Sequence, residues 1–208
     1  MTEKDRLKWI YSSKDNQELA ERYDRWANDY DTELEDNYGW ATPRIVTDLA
    51  TKYVSTTGRL LDAGAGTGLV GQCLHEEGYR DLVGIDLSEG MLEKAKQKKV
   101  YRELYQMVLG ESLNFPDGGF DAVVCAGVLT FGHAPPDSLT EMIRITRPQG
   151  HIIFSMRSDA HEELGFKERQ EVLEVSGRWK LVEVSQLHQA FSKKEPDILH
   201  HVWVYRVL

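Results

Sequence analysis

Apolar and polar positions along this chain follow two periods, and the switching between them lays out the elements. Short, mostly apolar runs at residues 58–62, 82–88, 105–109, 121–125, 151–156, 179–186 and 199–208 read as seven strands. Between them, apolar residues recur at three- and four-residue spacings. Leu19, Tyr23, Trp26, Ala27, Tyr30 and Leu34 predict a helix over 17–34 with an aromatic stripe, and Ile45, Val46, Leu49 and Val54 predict one over 43–53. Further helices are predicted over 69–77, with Gly78 closing it, over 89–99, over 138–146 with Leu139, Met142 and Ile143 inward, and over 162–176. Thr42 reads as a cap with Pro43 at the first helical position, and the first sixteen residues, being polar, read as frayed. Alternating strands and helices predict a three-layer α/β fold around one sheet. The polar stretch 192–197 joins the last two strands as a loop, which makes them an antiparallel pair.

The bulk numbers narrow the possible partners. A chain of 208 residues with 41% hydrophobic content suits one domain with a full core. The net charge of −9 argues against a nucleic-acid substrate held by phosphate contacts, because its basic runs at 96–99 and 193–194 are short and set among acids. No apolar run approaches a membrane span, and the opening Met1-Thr2-Glu3-Lys4-Asp5 does not read as a leader, so a cytoplasmic location is expected, with the nucleus also compatible. Cys73 and Cys125 fit neither a disulfide framework nor a zinc site.

Candidate chemistry concentrates at Asp62-Ala63-Gly64-Ala65-Gly66-Thr67-Gly68, between the first core strand and its helix. Glycines there let a ligand lie on bare backbone beside free helix N–H groups. Gly66-x-Gly68-x-x-Gly71 formally matches a dinucleotide fingerprint, but that leaves Asp62 and Gly64 without a role. An acid before the glycines repels a pyrophosphate and suits a ligand carrying an ammonium and a sulfonium, such as S-adenosylmethionine. Asp86 ends the second core strand 18 residues beyond Gly68, near the offset of a carboxylate that accepts from a ribose diol, with Leu87 beside it. Met91, on the next helical turn, is a candidate apolar wall for the adenine.

With these residues the sequence resembles the class I S-adenosylmethionine-dependent methyltransferases, from about Tyr23 to Arg206. The segments 23–30, 66–70, 86–92 and 109–110 are most similar to the methyltransferase-like group encoded in the Williams–Beuren syndrome region. The resemblance implies a Rossmann-like sheet of seven strands with an antiparallel last strand, an N-terminal helical lid over residues 1–40 and a core over 41–208, all one domain. It implies that Tyr23, Trp26 and Tyr30 cover the cofactor's methionine part, where an aromatic face attracts a sulfonium. It also places Gly110, Glu111, Ser112 and Leu113 at the adenine, with the Glu111 carboxylate and a backbone N–H of Ser112 or Leu113 as partners. Cys125, Ala126 and Gly127 would pass beside the transferred methyl. Two positions depart from the family pattern: Glu111 stands for an aspartate and Gln149 for a glycine.

Methyl transfer from a sulfonium is a displacement with a good leaving group, so positioning and water exclusion are the protein's main tasks. The sequence lacks the Asn-Pro-Pro-Tyr segment of amide-directed relatives and the Pro-Cys of cytosine-directed ones, and its acids lack metal-ligand spacing. His133, in the loop 130–136 at the expected substrate rim, is the one candidate for taking a proton. The expectation is a monomeric enzyme that methylates a small molecule and releases S-adenosylhomocysteine. The alternatives are a protein methyltransferase, a non-catalytic cofactor-binding protein and, as an outsider, a nicotinamide enzyme.

Overall fold

In the computed structural model, residues 6–208 are described; the expectation about a leader in the first five residues lies outside them. Eight strands form one sheet: β1 Arg59–Ala63, β2 Asp81–Asp86, β3 Glu103–Gln106, β4 Phe120–Leu129, β5 Thr146–Arg157, β6 Trp179–Val184, the two-residue β7 His188–Gln189 and β8 Leu199–Val207. Their order is β3-β2-β1-β4-β5-β8-β6, with β7 paired to β8. The five strands β3, β2, β1, β4 and β5 are parallel; β8 runs antiparallel to β5, β6 and β7. The sheet thus has the expected seven strands plus one short addition. Its order reverses beside β1, so β1 and β4 open a crevice at their carboxyl ends.

Strand alternation divides the core. Leu60, Leu82, Ala122, Val124 and Ile153 pack against Val46, Leu49, Val70 and Leu74 of helices α4 Thr42–Tyr53 and α5 Leu69–Glu76. Their sequence neighbours Leu61, Val83, Val123 and Ile152 face the other side, against Leu139, Met142, Ile143, Phe166 and Leu173 of α7 Ser138–Ile145 and α9 Phe166–Val175. The remaining core helix is α6, Glu89–Lys98, beside β2 and β3.

Several expectations need correction. Residues 6–11 are not frayed: Arg6–Tyr11 forms α1, and Ile10 is buried with Leu7 in a third apolar cluster with Phe191 and Ile198. The partners lie some 180 residues away, which is why local polarity misled. The helix read over 17–34 is broken: α2 spans Asn16–Trp26, α3 Tyr30–Thr32 follows, and the chain then widens into a π-helix, Glu33–Tyr38, closed by left-handed Gly39. Thr42 is inside its helix, not a side-chain cap. The helix read over 162–176 is two, α8 Ser158–Glu163 and α9, broken where Gly165 turns left-handed at φ +81°. The 192–197 stretch is the expected loop, and it is fastened to the N-terminal segment: Ser192 N donates to Gly39 O, and Lys193 Nζ donates to the carbonyls of Glu35 and Asp36.

Gln149, where the family pattern has glycine, adopts φ +64°. A side chain there crowds its own backbone, so Gln149→Gly is expected to stabilise the fold by roughly 0.5–1 kcal/mol, after the entropy glycine loses on folding. Chemical denaturation measures this; a loss of stability would mean that the Gln149 side chain supports the turn.

Candidate active site

The cradle follows from β1 ending beside β2. Gly64 N and Ala65 N both donate to Ile85 O, at 2.9 and 2.8 Å, so the turn is fastened to the next strand. At Gly66 the chain is left-handed, φ +54°, and a Cβ built there meets nothing within 4 Å; the backbone faces open space. Gly66 N donates to Asp86 Oδ2 (2.8 Å) and Ser88 N to Asp86 Oδ1 (2.9 Å), which fixes the carboxylate at the tip of β2. Burial pushes the Asp86 carboxyl up to about 6, against the pull of those backbone N–H groups. A pocket opens here. Gly66, Asp86, Leu87, Met91, Ala126 and His133 are among its walls.

The N-terminal helices close over this void and are fastened to the cradle itself. Asp24 Oδ1 accepts from Ser88 Oγ (2.6 Å) and from Gly90 N (2.8 Å) at the start of α6. Asp31 accepts from Thr67 Oγ1 in the glycine turn and pairs with Lys98. Loss of the first latch in Asp24→Ala is expected to speed amide exchange over residues 16–38 about tenfold, leaving the sheet unaffected. Unchanged exchange would show that the aromatic packing alone holds the lid.

Beneath the lid a second chamber adjoins the first, and Tyr23, Tyr30, Trp40 and Gly127 belong to both. Gly127 is left-handed, φ +75°, and a Cβ there would stand 3.0 Å from the Trp40 ring, so the passage needs glycine. At the junction Tyr23 Oη lies 2.8 Å from His133 Nε2, and His133 Nδ1 lies 2.8 Å from Phe131 O. A carbonyl only accepts, so Nδ1 carries the ring proton and Nε2 accepts from the Tyr23 hydroxyl. Burial lowers the His133 pKa and raises that of Tyr23, keeping both neutral.

Of the residues singled out in the sequence, Tyr23, Tyr30, Gly64, Ala65, Gly66, Thr67, Asp86, Leu87, Met91, Ala126, Gly127 and His133 line the first void. Trp26 lines the second chamber instead, its Nε1 donating to Glu33. Asp62, Gly68 and Cys125 stand behind the cradle rather than in its wall. Asp62 is buried and its Oδ2 accepts from Tyr101 Oη at 2.6 Å, while Oδ1 has no hydrogen-bond partner, and burial pushes the carboxyl up to about 7. Gly110, Glu111, Ser112 and Leu113 do not line the void, and Leu113 N already donates to Glu141 Oε1 at 2.7 Å. Sequence reasoning missed Trp40, Leu69, Val70 and Val128 as walls. Trp40 was legible only as an aromatic at a chain break, and Val128 was hidden because β4 continues past Cys125.

The charge of the first void replaces the argument made from Asp62. Among the described residues its walls contain one carboxylate, Asp86, and no lysine or arginine. Such a wall repels a pyrophosphate and tolerates a cation, while the bare Gly66 backbone and the carboxylate acceptor suit an adenosyl ribose. S-adenosylmethionine fits these residues; a dinucleotide does not. Among the described residues no cluster of His, Cys, Asp or Glu could hold a metal, and no helix is long and apolar enough to cross a membrane.

Fold and site together define a class: a Rossmann-like α/β protein built to hold an adenosyl cation under a lid. A methyltransferase domain family matches residues 61–154. The chain is 36% identical over 165 residues to human Methyltransferase-like protein 27, covering 76% of this chain and 66% of that one. Among solved structures it superposes with a putative methyltransferase of Haloferax volcanii in complex with the Trm112 activator, at a TM-score of 0.68 and 17% identity, covering 89% and 97% of the two chains. A possible histamine N-methyltransferase from Thermotoga maritima gives 0.64 at 18% identity, covering 89% and 98%. The chain belongs to the class I S-adenosylmethionine-dependent methyltransferases. It spans two thirds or less of the length of the curated relatives that head the comparison.

Proposed function

We propose that this protein transfers a methyl group from S-adenosylmethionine to a small molecule enclosed beneath the N-terminal lid. One observation carries the reading: the cradle's pocket adjoins a second one beneath the lid, with Tyr23, Tyr30, Trp40 and Gly127 lining both. An acceptor that fills such a chamber must enter whole, which favours a small molecule over a side chain presented by a folded protein.

When bound, the cofactor supplies an electrophilic methyl on a sulfonium. Asp86 accepts from the ribose hydroxyls, Gly66 lets the adenosyl part lie against backbone, and Leu87 and Met91 flank the base. Ala126 and Gly127 leave room at the passage. The rings of Tyr23, Tyr30 and Trp40 place aromatic faces around a cation, and the lid that carries them excludes water.

Incubation with methyl-labelled cofactor and fractionated cell extract tests this. Label is expected in protease-resistant, low-molecular-weight material. Label in protease-sensitive material would make the protein a protein methyltransferase, and tight cofactor binding with no transfer to any fraction would make it a non-catalytic binder.

A further inference from the structure

Resting on that reading, we propose that the second chamber takes an uncharged, flat aromatic acceptor bearing a phenol-type hydroxyl, and that Tyr23 and His133 carry that hydroxyl's proton away.

Charge comes first. Among the described residues no Asp, Glu, Lys or Arg lines the chamber, and burial pushes its one histidine, His200, down to about 3, so it is neutral. A charged acceptor would shed its hydration there and find no partner. Shape comes next. Trp26 and Tyr30 meet edge to face at 4.7 Å, Trp40 stands edge-on to Tyr30 at 6.5 Å, and Phe191 adds another ring, so flat faces bound the space. The polar feature that points to a ligand is Thr130: it lines the chamber, is 5% exposed, and its hydroxyl has no hydrogen-bond partner. Buried hydroxyls are rarely left so, and an acceptor's polar group would satisfy this one.

The chemistry is set at the junction. Tyr23 lines both chambers, and its hydroxyl already donates to an imidazole nitrogen that carries no proton. A neutral amine attacks a methyl without prior deprotonation, whereas a phenol attacks well only as its proton leaves. The acceptor's proton passes to Tyr23 Oη as Tyr23's own passes to His133 Nε2. The acceptor oxygen's electron pair forms the new O–C bond, the sulfonium–carbon bond breaks, and its pair stays on sulfur. The imidazolium left behind keeps its Nδ1–H bond to Phe131 O and loses its proton to water when the lid opens. Tyr23 touches the acceptor; His133 acts through it.

The test uses the full chain saturated with sinefungin, whose amine cation stands for the sulfonium, and 4-nitrophenol, whose absorbance reports its ionisation. Charged isosteres, 4-nitrobenzoate and 4-nitrobenzylamine, serve as comparisons. The nitrophenol is expected to bind at least tenfold tighter than either, and to be more ionised when bound than when free at the same pH. Tyr23→Phe keeps the ring and, at sinefungin concentrations that saturate the variant, is expected to leave the bound dye protonated; His133→Gln is expected to do the same. Thr130→Val is expected to weaken the dye about fivefold without lowering the melting temperature, since it replaces an unpartnered hydroxyl by a methyl of like shape. Equal or tighter binding of a charged isostere overturns the acceptor class. Unaltered dye ionisation in Tyr23→Phe overturns the proton path. Sinefungin binding with no uptake of the dye overturns the proposal and leaves the cradle reading standing, whereas failure to bind sinefungin removes the reading on which it rests.

Discussion

Gly66→Leu is expected to abolish measurable binding of S-adenosylhomocysteine while the fold survives. The Cβ position at Gly66 meets no atom within 4 Å, so the new side chain clashes with nothing of the protein and stands in the cradle instead. The left-handed backbone at φ +54° adds strain of about 1–2 kcal/mol to the folded state. Occupation of the space where the ligand lies is expected to cost about 3 kcal/mol or more of binding, a loss above roughly 100-fold. Gly78→Leu is the control. Its φ is +98° and its nearest neighbour is Thr56 at 3.8 Å, so it carries at least as much strain without being one of the cradle's walls. Calorimetric titration of both variants separates strain from blockage. Near-parental affinity in Gly66→Leu would place the adenosyl group elsewhere.

Asp86→Ala is expected to weaken S-adenosylhomocysteine by about 1.5–3 kcal/mol, the range for a charged hydrogen-bond partner. The same carboxylate gives the site a pH dependence whose sign can be worked out. Burial raises the Asp86 carboxyl to about 6, with the negative charge of Asp24 adding to the rise, and Asp62 behind the turn is raised to about 7. A raised folded-state pKa means that the folded protein holds these protons more tightly than the unfolded chain. Their contribution to stability is therefore fully present below about pH 4 and lost as pH rises through 6 and then 7. Ligand binding runs the other way, because ribose hydroxyls donate to the charged carboxylate and compete with the proton. Affinity is expected to rise between pH 5 and about 7, in buffers of constant ionic strength, and Asp86→Asn is expected to flatten that rise. A rise that persists in Asp86→Asn and vanishes in Asp62→Asn would assign the titration to Asp62.

The cradle was legible because each of its parts is local. Leu60-Leu61, the glycines and Leu69–Val70 declare strand, turn and helix within a dozen residues, and Asp86 is placed by the length of one crossover. Asp62 shows where that logic stops. Its position before the glycines suggested a ligand contact, yet its side chain turns to Tyr101, on a different loop, and only packing decides which side of a strand end a carboxylate takes. Glu111 and Leu113 were assigned by likeness to relatives, and here the Leu113 N–H is taken by Glu141 from α7.

By itself the sequence determined the parallel sheet with its antiparallel β8, the bare-backbone turn and the acid at the tip of β2, since periodicity and glycine placement act over a few residues. Only the tertiary structure decided that residues 6–11 fold, that Asp24 and Asp31 fasten the lid to the cradle, and that Trp40, Thr130, Phe191 and His200 enclose a second chamber. Those contacts join residues that are tens to nearly two hundred positions apart, where no spacing along the chain records which side chains will meet.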